Sequence, residues 1–136
     1  MTMQLQIVTM DGQAFNGPAQ KLFCRTVTGD ICILPRHCNY CTAIAIGEAR
    51  VTDENGNVRR AACNGGLLTV MGNDVTLAPT TFEWAEDIDL QRAKESLARA
   101  EEYLAMSDLS ENDRIVQENR LRRAKVRIAV ASPARD

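Results

Sequence analysis

Three of the chain's five cysteines and its only histidine fall in one short stretch, GDICILPRHCNYC, from Gly29 to Cys41. Thiols and an imidazole at this density suit metal ligation or redox chemistry. Cys38 and Cys41 form a C-x-x-C, His37 adjoins it, and Cys32 lies upstream. A structural zinc site needs four ligands, commonly two such pairs a dozen or more residues apart. The second pair is missing, because Cys63 stands alone. A redox C-x-x-C belongs at a helix N-terminus, where the dipole favours the thiolate. Cys38 instead follows ILPRH and precedes TAIAIG, a strand-and-turn context. Cysteine also packs readily as a small buried hydrophobe. Burial is therefore the expectation, with a metal or redox module on Cys32, His37, Cys38 and Cys41 as the alternative.

Other chemistry is sparse. With its one histidine already in the turn, the chain has no Ser-His-Asp set, and NGG (Asn64–Gly66) sits between strand patterns rather than in a phosphate loop. Asp87 and Asp89 form a carboxylate pair that helix-start capping explains without catalysis. RLRRAKVR, Arg120–Arg127, holds five positive charges and no negative one. It reads either as a solvated helix face or as an anion site for phosphate or an acidic partner loop. With 16 basic and 18 acidic residues the formal charge is −2, so no global field favours nucleic acid or an anionic membrane. No apolar run is long enough to span a bilayer and no secretory leader is evident, so any membrane contact is expected through another protein. The odd cysteine count suits a reducing cytoplasm.

These residues must be positioned by two kinds of element. Residues 1–86 alternate as strands. LQIVT (Leu5–Thr9) and KLFCRTV (Lys21–Val27) flank FNGPA, whose Asn16, Gly17 and Pro18 read as a turn. Asn55-Gly56 between alternating runs predicts a hairpin with a type I′ turn. Gly72-Asn73-Asp74 separates two further strands, Leu67–Met71 and Val75–Ala78. The pattern predicts an antiparallel β-sandwich of about ten strands. From residue 87 the period changes. Leu90, Ala93, Leu97, Ala100 and Leu104 mark one helical face, with Asp87 or Asp89 as its cap. Ser110, with Asp113 three residues on, predicts the cap of a second helix over 111–131, ending near Pro133. Its seam, Leu121, Ala124, Ile128 and Ala131, continues upstream through the polar Gln117 and Arg114. Residues 87–136 thus form a two-helix antiparallel hairpin with too little apolar area to be held firmly, a detachable element.

The whole arrangement resembles the epsilon subunit of bacterial F-type ATP synthase. GDICILPRHCNY is similar to that family's G-[DE]-x-G-I-L-P-x-H-A-P-L signature, and LQIVTMDGQAFNGPA, NGGLLTV, NDVTLA, EDIDLQRA and RLRRAKVRIAVA match further along. Cys32, Cys38 and Asn39 depart from it, standing where Gly, Ala and Pro are usual. Loss of the proline is expected to loosen the turn after His37.

The resemblance implies a noncatalytic rotor subunit at the cytoplasmic face of the membrane. Its sandwich would contact the gamma subunit and the c-ring through Gly29, Asp30, Ile31, Pro35 and His37. Its helices would regulate ATP hydrolysis, with the basic run Arg120, Arg122, Arg123, Lys125 and Arg127 meeting acidic loops of the alpha/beta catalytic head. It also implies ATP as an allosteric ligand, with no cofactor required. Ile88, Asp89, Arg92 and Ala93 match the family's I/L-D-x-x-R-A motif, and Glu83, Arg99, Arg123 and Arg127 fall on supporting positions. The plainer alternative is that Asp89 only caps its helix and the arginines are only solvated.

Overall fold

The computed structural model describes residues 1–132, so Pro133, near which the second helix is expected to end, lies outside the described residues. The chain divides into two compact units, with the boundary between Trp84 and Ala85.

The first unit contains nine strands: β1 (Met3–Thr9), β2 (Gly12–Thr26), β3 (Gly29–Ile33), β4 (Tyr40–Ala43), β5 (Gly47–Asp53), β6 (Val58–Asn64), β7 (Leu67–Met71), β8 (Asp74–Ala78) and β9 (Thr81–Trp84). Their hydrogen-bonded order is β4-β7-β8-β1-β2-β5-β6-β9, with β3 also on β2. The long β2 belongs to both layers of the sandwich. Its first part pairs with β1, and its last part pairs with β3 and β5. Alternation does the rest: Met3, Leu5, Ile7, Leu22, Ile33, Leu68 and Leu77 point inward and are fully buried. Each such side chain contributes roughly 1.5–3 kcal/mol relative to exposure.

Three details differ from the sequence expectation. FNGPA is not a turn; Asn16, Gly17 and Pro18 lie inside β2, and the chain reverses at Met10-Asp11. Pro18 is tolerated because β2 pairs with β1 there, while its other edge meets β5 only from Ala19 onward. The Asn55-Gly56 hairpin forms, but not through a type I′ turn. That turn needs positive φ at both central residues, and of this pair only Gly56 has it, at 85°. The Asp53 carboxylate instead accepts from the Asn55 and Asn57 N–H groups, both at 2.9 Å, and builds a longer loop. Finally, β1 and β8 pair in parallel, whereas the other pairings are antiparallel.

The second unit opens with a single 3-10 turn, Ala85–Asp87, followed by α1 (Leu90–Leu104) and α2 (Glu111–Ala131). Asp89, not Asp87, is the cap of α1, accepting from the Arg92 N–H at 3.1 Å. Ser110 caps α2 through the Asp113 N–H, also at 3.1 Å. The enclosed side chains are Ala93 and Ala100 on α1 and Gln117, Ala124 and Val130 on α2. Leu121, Ile128 and Ala131 of the expected seam are only half-buried, and Arg114 is exposed.

Candidate functional site

The expected interface residues sit on β3 and the turn after it. Thr26 fixes the entry to β3, its hydroxyl donating to the Gly29 carbonyl at 2.7 Å. Asp30 faces outward directly opposite Arg25 on β2, and Arg25 Nε donates to Asp30 Oδ1 at 3.0 Å. That hydrogen bond holds the Asp30 carboxyl below the usual carboxylate range. Asp30 is therefore a fixed negative charge on an exposed strand. Ile31 is half-buried and Ile33 fully buried, which roots the strand in the core.

Leu34-Pro35-Arg36-His37 then turns sharply. The His37 N–H donates to the Leu34 carbonyl at 3.1 Å, and Arg36 has φ 67°. Proline second and positive φ third are the marks of a type II turn, whose third position normally belongs to glycine. Arg36 is the one non-glycine with positive φ among the described residues. Strain of this kind persists where the surroundings over-determine it. The turn presents His37 half-buried, its ring centroid 6.0 Å from that of Tyr40. His37 Nδ1 lies 2.7 Å from the Cys38 carbonyl, which can only accept, so the proton resides on Nδ1. Asn39 replaces the ring constraint of a proline with a tie of its own: its Oδ1 accepts from the Gly72 N–H at 2.8 Å.

The cysteines overturn the burial expectation. Cys32, Cys38 and Cys41 are exposed, and the buried pair is Cys24 and Cys63. Alternation explains Cys32: its neighbours Ile31 and Ile33 turn toward the core, so Cys32 faces outward. Cys38 lies in the loop, and Cys41 faces out of β4 beside Thr69. Among the described residues no group of three or more His, Cys, Asp or Glu side chains is placed to hold a metal ion. The metal module has no ligand set there. Burial pushes the Cys24 and Cys63 thiols up to about 12, so both are inert.

The nucleotide candidates divide between the units. Glu83 lies on β9 of the first, opposite Ala62. The others lie on the hairpin. Ile88 and Asp89 lead into α1, Arg92 and Ala93 follow in its first turn, and Arg99 lies two turns beyond Arg92. At 1.5 Å per residue, Arg92 and Arg99 are about 10 Å apart along one face, and Arg123 and Arg127 on α2 about 6 Å apart. Arg92, Arg99, Arg120, Arg122, Arg123 and Lys125 are exposed, and their side chains form no ion pair among the described residues. Ala93 is fully buried and serves packing.

With both units described, the comparison with known proteins can be read onto them. The β-sandwich domain of the ATP synthase delta/epsilon chain matches residues 2–85, and the long α-helix domain of the same chain matches residues 86–132. The chain belongs to the ATP synthase delta/epsilon family. A curated member, the ATP synthase epsilon chain of Exiguobacterium sp., is 33% identical over 129 residues, covering 95% of each chain. Two solved structures share the fold. One is a chain of the Euglena gracilis mitochondrial ATP synthase, from its OSCP/F1/c-ring part, with TM-score 0.85 and 21% identity over 96% of this chain and 82% of that one. The other comes from the central stalk and c-ring of the Tetrahymena thermophila mitochondrial ATP synthase, with TM-score 0.70 and 12% identity over 97% and 98% of the two chains.

Within this delta/epsilon fold, three positions escaped sequence reasoning. Trp84 closes the sandwich core, with Arg59 stacked 3.7 Å from its ring and Phe82 edge-on at 4.9 Å. A lone tryptophan at the end of a strand pattern was the available signal. Gly66, at φ 90°, has Ala78 backbone where a Cβ would stand; the Gly-Gly pair hinted at it. Gln117 is buried at a seam position that the helical period had marked without explaining.

Proposed function

We propose that this chain is a noncatalytic central-stalk subunit of an F-type ATP synthase, peripheral to the cytoplasmic face of the membrane. The observation that carries the reading is coverage: the two family domains account for both units of the chain, in order and almost end to end. On this reading the sandwich binds the gamma subunit and the c-ring and couples ion-driven rotation to the alpha/beta catalytic head. Gly29, Asp30, Ile31, Pro35 and His37 form its contact surface. A charge fixed by Arg25 and a turn strained at Arg36 and tied through Asn39 suit a surface that must transmit torque without yielding. No helix among the described residues is long and apolar enough to cross a membrane; on this reading the membrane is met through the partner subunits.

The helical hairpin is the regulatory part, and its extended form restrains ATP hydrolysis. Arg120, Arg122, Arg123, Lys125 and Arg127 then face acidic loops of the head. ATP is its allosteric ligand, held by Arg92, Arg99, Arg123 and Arg127 at the phosphates, with Asp89 accepting from the base or ribose. The capping bond of Asp89 occupies Oδ1 and leaves Oδ2 for this role. By binding the closed hairpin, ATP stabilises it by RT ln(1 + [L]/Kd).

Reassembly of the synthase with and without the chain tests the coupling role. Ion-driven ATP synthesis should depend on its presence, and equal synthesis without it would refute the assignment. Truncation after Glu86 should raise hydrolysis by the assembled enzyme. Calorimetric titration with ATP should give heat that Arg92→Ala abolishes; no heat at millimolar ATP removes the ligand claim.

A further inference from the structure

The turn after β3 carries a cation that nothing in its own chain holds. Arg36 is the sole Asp, Glu, Lys or Arg between Asp30 and Glu48. It is exposed, as are Leu34 and Cys38 on either side, while Pro35 and His37 between them are half-buried. Arg25, Arg50 and Arg60 are each paired with a carboxylate of the sandwich. The Arg36 guanidinium forms no ion pair among the described residues. Asp30, the acidic residue nearest in sequence, is already engaged by Arg25 at 3.0 Å. The backbone beneath Arg36 is strained, at φ 67° in a position that suits glycine. Its loop is tied on both sides, by the Leu34–His37 hydrogen bond at 3.1 Å and the Asn39–Gly72 bond at 2.8 Å. Arginine here therefore costs stability, and no ion pair within the described chain offsets it. An outlier of this kind is a pointer to function.

We propose that Arg36 selects the partner of this turn by pairing with a carboxylate on the subunit that the 29–37 surface meets. The proposal rests on the reading of that surface as an interface, and Arg36 is an addition to the residues assigned to it. Docking a surface of Leu34 and Pro35 around one arginine strips water from the guanidinium. Left unpaired, the desolvated charge opposes association. Met by a carboxylate, it is held by two parallel N–H···O bonds in a fixed plane. One cation in an otherwise uncharged stretch thus admits a partner with a carboxylate opposite and rejects one with an apolar or basic group there.

The test measures binding of the dye-labelled full chain to synthase stripped of it, in neutral detergent. Arg36→Gln removes the charge and should raise Kd by about tenfold, chiefly through faster dissociation, with a weaker dependence on salt. Arg36→Lys should recover part of the affinity, because it restores the charge without the planar fork. Arg36→Gly guards against misfolding as the cause: relief of the positive φ should make it unfold at a higher temperature than the wild type, yet it should bind as weakly as Arg36→Gln. Equal Kd for the wild type and Arg36→Gln overturns the proposal. A difference that appears only with synthase in phosphatidylglycerol vesicles assigns the arginine to a lipid phosphate and overturns the carboxylate. Failure of the wild-type chain to bind removes the central-stalk reading and the proposal with it, whereas wild-type binding matched by Arg36→Gln removes the role of the arginine alone.

Discussion

Gly66→Ala should destabilise the sandwich far more than its one added methyl group suggests. Two costs add. The backbone at Gly66 has φ 90°, a conformation side-chain-bearing residues rarely adopt, at about 1–2 kcal/mol. The new Cβ would also stand 2.0 Å from the Ala78 carbonyl oxygen and 2.6 Å from Pro79 Cα. These are backbone atoms, so no rotamer change relieves the clash, and β7 and β8 must separate at their open end. Overpacking of this kind costs about 1–3 kcal/mol or more, for a total of about 2–5 kcal/mol. Gly72→Ala is the control. Gly72 has φ 60° and nothing within 4 Å of an added Cβ, so only the conformational cost applies. For a unit of this size 1 kcal/mol corresponds to about 4–8 °C in Tm. The Tm, followed by fluorescence of the single tryptophan in the core, should therefore fall by about 4–16 °C for Gly72→Ala and by about twice that for Gly66→Ala. Equal shifts would refute the steric argument and leave backbone conformation as the whole effect.

Three further outcomes follow from the same geometry. Under native conditions an aromatic disulfide reagent should titrate Cys32, Cys38 and Cys41 rapidly and reach Cys24 and Cys63 only on unfolding; five fast thiols would contradict the packing of β2 and β6. Cys24 and Cys63 ionise near 12 in the fold against 9.0 for an ordinary thiol, so their contribution to stability is complete below pH 9 and is lost as pH rises toward 12. Between pH 9 and 10.5 the urea-derived stability should fall by about 2 kcal/mol per thiol, and a Cys24→Ala, Cys63→Ala chain should show a shallower fall; identical slopes would refute it. Arg36→Gly relieves a positive-φ strain of about 1–2 kcal/mol against about 0.5–1 kcal/mol for the greater freedom of glycine in the unfolded chain, so Tm should rise by a few degrees, and a lower Tm would refute the strain argument.

What could be read in advance was whatever depended on local period. Leu5, Ile7, Leu22 and Cys24 fell on the buried face because alternation in a strand has few alternatives. Ser110 declared α2 through the one hydrogen bond its side chain makes. The misreadings share a different cause, since each was decided by something distant in sequence. Asn16-Gly17-Pro18 has turn chemistry, but pairing with β1 holds it extended. The cysteines of the 29–41 stretch were assigned by residue type, and the register of β3 on β2 decided Cys32 instead. Of the candidate sites, the 34–37 turn owes its shape to its proline and the positive φ of Arg36, whereas its place in an interface was legible only through the resemblance. The arginine set was legible only as spacing along two helices.

The two units also differ in how they are held. The sandwich fully encloses Met3, Leu5, Ile7, Leu22, Ile33, Leu68 and Leu77 around one core. The hairpin encloses three alanines, one valine and one glutamine. An alanine methyl contributes about 0.8 kcal/mol when buried, so the enclosed alanines hold the hairpin only weakly. Helix pairing is therefore the contact that a modest perturbation removes first, while the strand ladder survives it. Small residues at Ala93, Ala100 and Ala124 let the helices fit closely without binding tightly. On the proposed function, a regulatory arm that leaves its partner and returns needs that combination, and a torque-bearing body needs the reverse. Filling the seam with leucines would give a more stable hairpin and, on this argument, a less responsive subunit.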